Sequence, residues 1–296
     1  GPSWQRDEFG GFIAPEFTLG WEVIRWAESN LQNDKAEPWR FTKEQKRLIL
    51  WWYEVAETGA FVWRDGVVQR LKGWGKDPFA AVIALVELVG PCRFAGWAAR
   101  DMPERGVKRG EPLAKENPVA WVQVVATAKA QTKNTMACFG WLISTDMKKR
   151  YRMQVNRESI FSHGGARRLE AVTSSPRVLE GNRPTFVIRN EPHHWVDSNE
   201  GHDLADVCQR NLDKSPDGSA RGLSITNAYN PAENSVAQVQ RETWESENAG
   251  LAIKTGLFYD SVEGPPSLAL NPPKPPVPDG RPEAEFDEIY AEMTKK

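Results

Sequence analysis

The chain has 296 residues, 40% apolar and 26% charged, with a formal net charge of −2; that is enough for one large α/β domain with or without a tail. The charge balance argues against a monomer that coats nucleic acid through bulk positive charge, while leaving room for a local basic strip. Cys92, Cys138 and Cys208 stand far apart with no CxxC pair, which argues against a zinc site or disulfide framework and for an intracellular compartment; no apolar run reaches membrane-span length and no signal peptide is legible.

Gly1-Pro2-Ser3 looks like the scar of a cleaved tag, and the Trp-rich stretch to residue 40 reads as an N-terminal extension with a helix over 17–31. Thr42 and Gln45 form a capping box that opens an amphipathic helix running to about Glu57. Phe61 to Arg64 and Val67 to Leu71, separated by Asp65-Gly66, predict a β-hairpin whose second strand feeds a glycine-rich loop. Pro78 to Val89 is an apolar helix with proline in its first turn, followed by a strand over 93–98. Asp101 to Pro118, charged and rich in Gly and Pro, reads as an exposed insertion. Further strands are expected over 120–126, 159–161, 168–172, 185–188 and 222–227, with helices over 130–146, 204–212 and 231–246. This alternation predicts a doubly wound, largely parallel sheet with its ligand at the carboxyl ends of the strands. The Pro-rich stretch 264–282 reads as a linker or tail.

Two near-miss motifs carry the chemistry. Gly73-Trp74-Gly75-Lys76-Asp77 departs from the phosphate loop GxxxxGK[ST], because Arg70 stands for the first glycine and Asp77 for the hydroxyl that binds Mg²⁺. Backbone N–H groups of such a loop surround phosphate oxygens while Lys76 adds a mobile cation; the bland reading is a Gly-rich turn before a surface helix. The apolar strand Phe186 to Arg189 ends in Asn190-Glu191 where Asp-Glu is usual. Glu191 is placed to polarise a water, and Asn190 lacks the charge expected of a metal anchor. Together these substitutions suggest that the metal-directed carboxylate has moved onto the loop as Asp77, since Mg²⁺ prefers carboxylate oxygen. The alternative for Asp77 is an acidic residue favoured in a first helical turn.

Phe41 and Gln45 offer an aromatic face and an amide to adenine, although Gln45 is equally accounted for by the capping box. Thr226 and Asn227 end a strand where they can sense a γ-phosphate. Arg70, Lys72, Arg189, Arg210 and Arg221 are candidates for charge stabilisation of phosphoryl transfer, in cis or from a neighbouring subunit. His193-His194 invites a metal reading, but adjacent side chains on an extended segment point apart and no Cys/His cluster accompanies them. Trp195 reads as packing.

Taken together, the motifs resemble the ATPase half of a tailed-phage terminase large subunit, over roughly 38–245. The resemblance rests on 38–45 as the adenine motif, 70–77 as a deviant Walker A and 185–195 as Walker B. It draws also on 127–132 after a strand, on Ser174-Ser175-Pro176 with Glu180-Gly181, and on 224–227 as the coupling motif. It implies a P-loop NTPase of the ASCE type, binding ATP and Mg²⁺ and acting on double-stranded DNA. Portal protein, the small terminase subunit and a homo-oligomeric ring are the implied partners, with no membrane, and the host cytoplasm at the procapsid portal is the implied location. An arginine three residues before the second loop glycine is expected in that family; here the position is Lys72. The domain layout implied is an extension over 1–40, an ATPase over 41–245, and the start of a lid or linker with a tail over 246–296. No room remains for the family's nuclease domain, so no nuclease activity is expected. The alternatives are a helicase-like ATPase acting on single strands and a nucleotide-binding assembly module that no longer hydrolyses.

Overall fold

The computed structural model describes residues 1–173, 176–215 and 217–263, so Ser174, Ser175 and the Pro-rich stretch lie outside the described residues. In chain order the elements are α1 (Gly20–Asn30), α2 (Lys43–Trp52), β1 (Asp65–Gln69), α3 (Lys76–Val89), β2 (Pro91–Trp97) and β3 (Pro112–Glu116). There follow β4 (Trp121–Val125), α4 (Lys129–Leu142), α5 (Thr145–Arg150), β5 (Gln154–Val155), β6 (Ser159–Ser162), β7 (Arg167–Val172) and α6 (Pro176–Leu179). The last are β8 (Phe186–Asn190), α7 (Gly201–Asp213), β9 (Arg221–Thr226), α8 (Val236–Asn248) and β10 (Leu257–Ser261).

Eight strands form the main sheet in the order β10-β1-β9-β8-β4-β7-β6-β5. The pairs from β10 through β7 are parallel, whereas the β7–β6 and β6–β5 pairs are antiparallel, so that β6 runs against the other strands of this sheet. Covering both faces of a parallel sheet demands nearly continuous apolar strands, and β8 and β9 are buried at every position. Side chains alternate between faces: Phe186 and Ile188 join the core beneath α1 to α4, whereas Val187 joins a second core with Val207 and Leu212 of α7. The expected doubly wound α/β architecture is therefore present. β9 lies between the loop strand β1 and β8, the strand that ends in Glu191.

Helix α3 explains why this sheet closes on one side. It is buried from Phe79 to Val89, as expected of a helix apolar all round. Its one charge in that stretch, Glu87, bonds Tyr53 Oη at 2.9 Å, Arg93 at 2.6 Å and Arg221 at 2.9 Å. Burial alone would raise the Glu87 carboxyl, but the two guanidinium groups hold it below its ordinary value.

Several expectations change. Asp65-Gly66 is no hairpin turn: both residues lie inside β1, which pairs in parallel with β9 and β10. The insertion over 101–118 contains β3, which forms an antiparallel ribbon with β2. The helix expected over 130–146 is two, because Ser144 caps α5 by accepting from the Met147 N–H at 3.1 Å. Strand β10, expected as the start of a lid, lies in the main sheet. One compact unit takes in Gly1–Ser261, including the expected N-terminal extension. The three cysteines are free and buried, and among the described residues no helix is long and apolar enough to cross a membrane.

Candidate nucleotide site

The loop between β1 and α3 is shaped by its glycines. Gly73 and Gly75 both have φ of 89°, the left-handed region that favours glycine, and Gly75 is the N-cap of α3. The first turn of α3 thus begins at Lys76, with the unpaired N–H groups and positive dipole end that make a helix N-terminus receptive to anions. Trp74 fastens the loop sideways, its Nε1 donating to Glu44 of α2 at 3.2 Å and its ring meeting Phe79 edge-on at 5.3 Å. Lys72 is exposed. Lys76 Nζ donates to the carbonyl oxygens of Arg70 and Leu71 at 3.3 and 3.0 Å. Burial lowers the Lys76 pKa, and the facing carboxylates of Glu191 and Asp77 oppose that shift.

Asn190 closes β8 and is buried; Glu191 follows in the left-handed region, at φ 55° and ψ 51°. A non-glycine residue held there stores of order 1–3 kcal/mol of strain, which the surroundings must enforce. Here the Glu191 N–H is pinned to Ile225 O at 2.9 Å, and Trp195 Nε1 donates to Asn190 O at 3.1 Å. Trp195 is fully buried, the packing role expected of it. The bend directs the chain after β8 across the end of β9, where His193 Nδ1 lies 3.1 Å from Thr226 Oγ1 and its Nε2 lies 3.3 Å from Asn227 Nδ2.

Helix α4 supplies a third wall. Thr135 Oγ1 donates to Asp77 Oδ1 at 2.7 Å and accepts from Asn190 Nδ2 at 3.2 Å, while Asn190 Nδ2 also donates to Gln131 O at 2.9 Å. The two departures from the standard motifs, Asp77 and Asn190, are thus joined through one hydroxyl.

The structure gathers Gly73, Gly75, Lys76, Asp77, Asn190, Glu191, Thr226 and Asn227 around the carboxyl ends of β1, β8 and β9. Arg70 stands apart from the role expected of it. Its side chain is 1% exposed and bonds Asp260 Oδ1 at 2.5 Å, Asp260 O at 2.7 Å and Glu44 Oε1 at 2.7 Å. Arg189 is held by Asp65 and Ser224, and Arg221 lies within 4.4 Å of the Trp52 ring centroid beside Glu87. These three guanidinium groups are committed to buried ion pairs, whereas Arg210 is exposed. Phe41 is buried edge-on to Trp39 rather than offering an open face. Gln45 Oε1 accepts from the Thr42 N–H at 3.1 Å, completing the capping box. Thr135 and His193 also belong to this site, and neither carries a local sequence motif that points to it: Thr135 meets Asp77 58 residues away, and His193 meets Thr226 33 residues away.

The residues present fit a nucleotide with its cation. Beyond Gly73 and Gly75 no atom lies within 4 Å of where a Cβ would stand, leaving an open cradle in front of a helix N-terminus. Asp77 offers a carboxylate and Asn190 an amide oxygen, the hard oxygen donors that Mg²⁺ takes beside phosphate oxygens; among the described residues no cluster of three or more His, Cys, Asp or Glu side chains could hold a metal. Asn227 Oδ1 is buried without a hydrogen-bond partner, an acceptor suited to a water.

Strand order, loop and strand-end acid define a protein of the P-loop α/β fold, and solved structures agree. The fold is that of the large terminase of bacteriophage HK97, with a TM-score of 0.61 at 14% identity, over 95% of this chain and 52% of that one. In sequence the chain is similar to the Gene 13 protein of Mycobacterium phage L5, 39% identical over 309 residues, and to that of Mycobacterium phage D29, 39% identical over 311. Each alignment takes in 95% of this chain and 50% of the relative, so the chain spans about half the length of these curated proteins. No protein-family model matches the chain.

Proposed function

We propose that this chain is the ATPase portion of a tailed-phage terminase large subunit, a Mg²⁺-dependent motor whose turnover drives double-stranded DNA into a procapsid. The observation that carries the reading is the joining of Asp77 on the loop helix to Asn190 at the end of β8 through Thr135 Oγ1, at 2.7 and 3.2 Å, which sets the glycine-rich loop with Lys76 and the strand end with Glu191 at one end of the sheet. In this reading the loop N–H groups and Lys76 hold the phosphates, and Asp77 and Asn190 hold the divalent cation, which would supply charge neutralisation of the phosphates when bound. Glu191 orients and deprotonates the attacking water. Thr226 and Asn227 report nucleotide state through His193 to the strand end that carries Glu191. The HK97 fold and the phage relatives favour the packaging role; portal protein, small subunit and a ring of copies are its partners in the host cytoplasm. The DNA contact in such a ring needs only a few phosphate-directed cations per copy, consistent with a net charge of −2.

Glu191→Gln tests this directly. The variant is expected to bind ATP with affinity within about threefold of the parent and to lose turnover by about 100-fold or more, the usual scale of general-base removal. Persistent turnover would assign the base elsewhere.

A further inference from the structure

Thr135 is fully buried between α3, α4 and β8. A helical threonine ordinarily satisfies its hydroxyl on a carbonyl three or four residues back, as Thr132 does on Lys129 O at 3.2 Å. Thr135 instead donates to Asp77 on α3 and accepts from Asn190 on β8. The polarity of this chain has a consequence. Both donor contacts of the Asn190 amide, to Gln131 O and Thr135 Oγ1, lie on the α4 side, so its Oδ1 is the end left to accept. Asp77 spends Oδ1 on Thr135 and keeps Oδ2. One hydroxyl thereby fixes the directions of two oxygen donors that come from different elements.

We propose that Asp77, Thr135 and Asn190 act as one unit toward the divalent cation that accompanies the nucleotide, with Thr135 the positioning residue that sets both neighbours. A standard phosphate loop keeps its hydroxyl directly after the lysine. In this chain Asp77 occupies that position and the hydroxyl reaches it from α4. The exchange of carboxylate and hydroxyl is therefore a rearrangement across three elements, and it rests on the nucleotide-binding reading given above. Hard Mg²⁺ demands well-directed oxygen ligands, and groups that orient such ligands typically change metal affinity by about 10–100-fold when removed.

The test is calorimetric binding of ADP to the full chain, with Mg²⁺ and with EDTA in its place. For the parent, Mg²⁺ is expected to tighten ADP binding. Thr135→Val is expected to cut that Mg²⁺-dependent gain by about tenfold or more, with ADP affinity in EDTA within about threefold of the parent, and Thr135→Ser to restore the gain. Thr135→Ala, which adds no methyl group to a close-packed site, carries the same expectation should the valine variant fail to fold. An unchanged Mg²⁺-dependent gain in a folded valine or alanine variant overturns the proposal. So does an equal loss with and without Mg²⁺ that serine fails to restore, since that is the behaviour of a residue that only packs α4 on α3. A parent chain that binds no ADP in either buffer overturns the nucleotide-binding reading itself, and this proposal with it.

Discussion

His193 bonds through both ring nitrogens only in one protonation state. Thr226 Oγ1 gives its own proton to Asn227 O at 2.9 Å, so Nδ1 of His193 donates to Thr226 and Nε2 accepts from Asn227. That is the neutral ring. Burial first, then the neighbouring His194 and Lys76, push its pKa from 6.5 down to about 4. The sign follows from linkage: an unfolded chain takes up a proton below pH 6.5 that the native chain refuses until about pH 4. The stability contributed by the neutral ring is complete above pH 6.5 and is lost as pH falls toward 4. Denaturant midpoints measured at intervals between those values are expected to fall less steeply for His193→Gln than for the parent, with a difference of order 1–2 kcal/mol at the acid end. Parallel slopes would mean that the ring is not held neutral. In the sequence His193 stands beside His194 and invites only a metal reading, because nothing local signals a contact with Thr226, 33 residues away. Arg70 hid its role in the same way: its partner Asp260 lies 190 residues on.

At the scale of elements, the phosphate-loop helix, α2 with its capping box and β8 were legible because each carries its signal within a few residues. Strand β1 departs from its local sequence signal for a physical reason. Asp-Gly is the strongest short hairpin signal, yet here the two residues serve long-range packing. Asp65 binds Arg189, which reaches it past Ser224 of β9. Gly66 is small because a Cβ there would lie 2.6 Å from Cζ3 of Trp52 and 3.0 Å from Cδ1 of Leu223. Gly66→Ala should therefore destabilise the fold by about 1–3 kcal/mol through overpacking. A glycine with no such neighbour would instead gain about 0.4–1 kcal/mol from the stiffer unfolded chain. Chemical denaturation separates the two, and a gain in stability would show that Trp52 is not packed on β1. Strand β10 escaped notice because its five residues look like any short apolar run; only its parallel pairing with β1, some 190 residues earlier, makes it part of the sheet.

At the scale of the whole molecule, the topology brings together a loop, a strand-end acid and the end of β9, and among the described residues Arg70 beside β1, Arg189 of β8 and Arg221 of β9 are held in ion pairs. Phosphoryl transfer gathers negative charge on the equatorial oxygens, and an arginine supplied in cis or in trans typically contributes about 10³–10⁵ in rate. Arg70 pairs with the fully buried Asp260, which without it would be left as an uncompensated buried charge at a cost of about 3–5 kcal/mol; Arg189 is held by the partly exposed Asp65, and Arg221 shares the buried Glu87 with Arg93. Freeing Arg70 for catalysis is therefore unfavourable. The exposed cation of the loop is Lys72, a point charge without the guanidinium fork. A motor that works as a ring can take such an arginine from the next copy, in which case activity depends on assembly. ATP turnover per chain is accordingly expected to rise at least about tenfold as protein concentration is raised through the range in which light scattering detects oligomers, approaching a plateau when assembly is complete. Turnover per chain that stays constant from the dilute monomer upward would place charge stabilisation within one chain, with Lys72 as the group to substitute next.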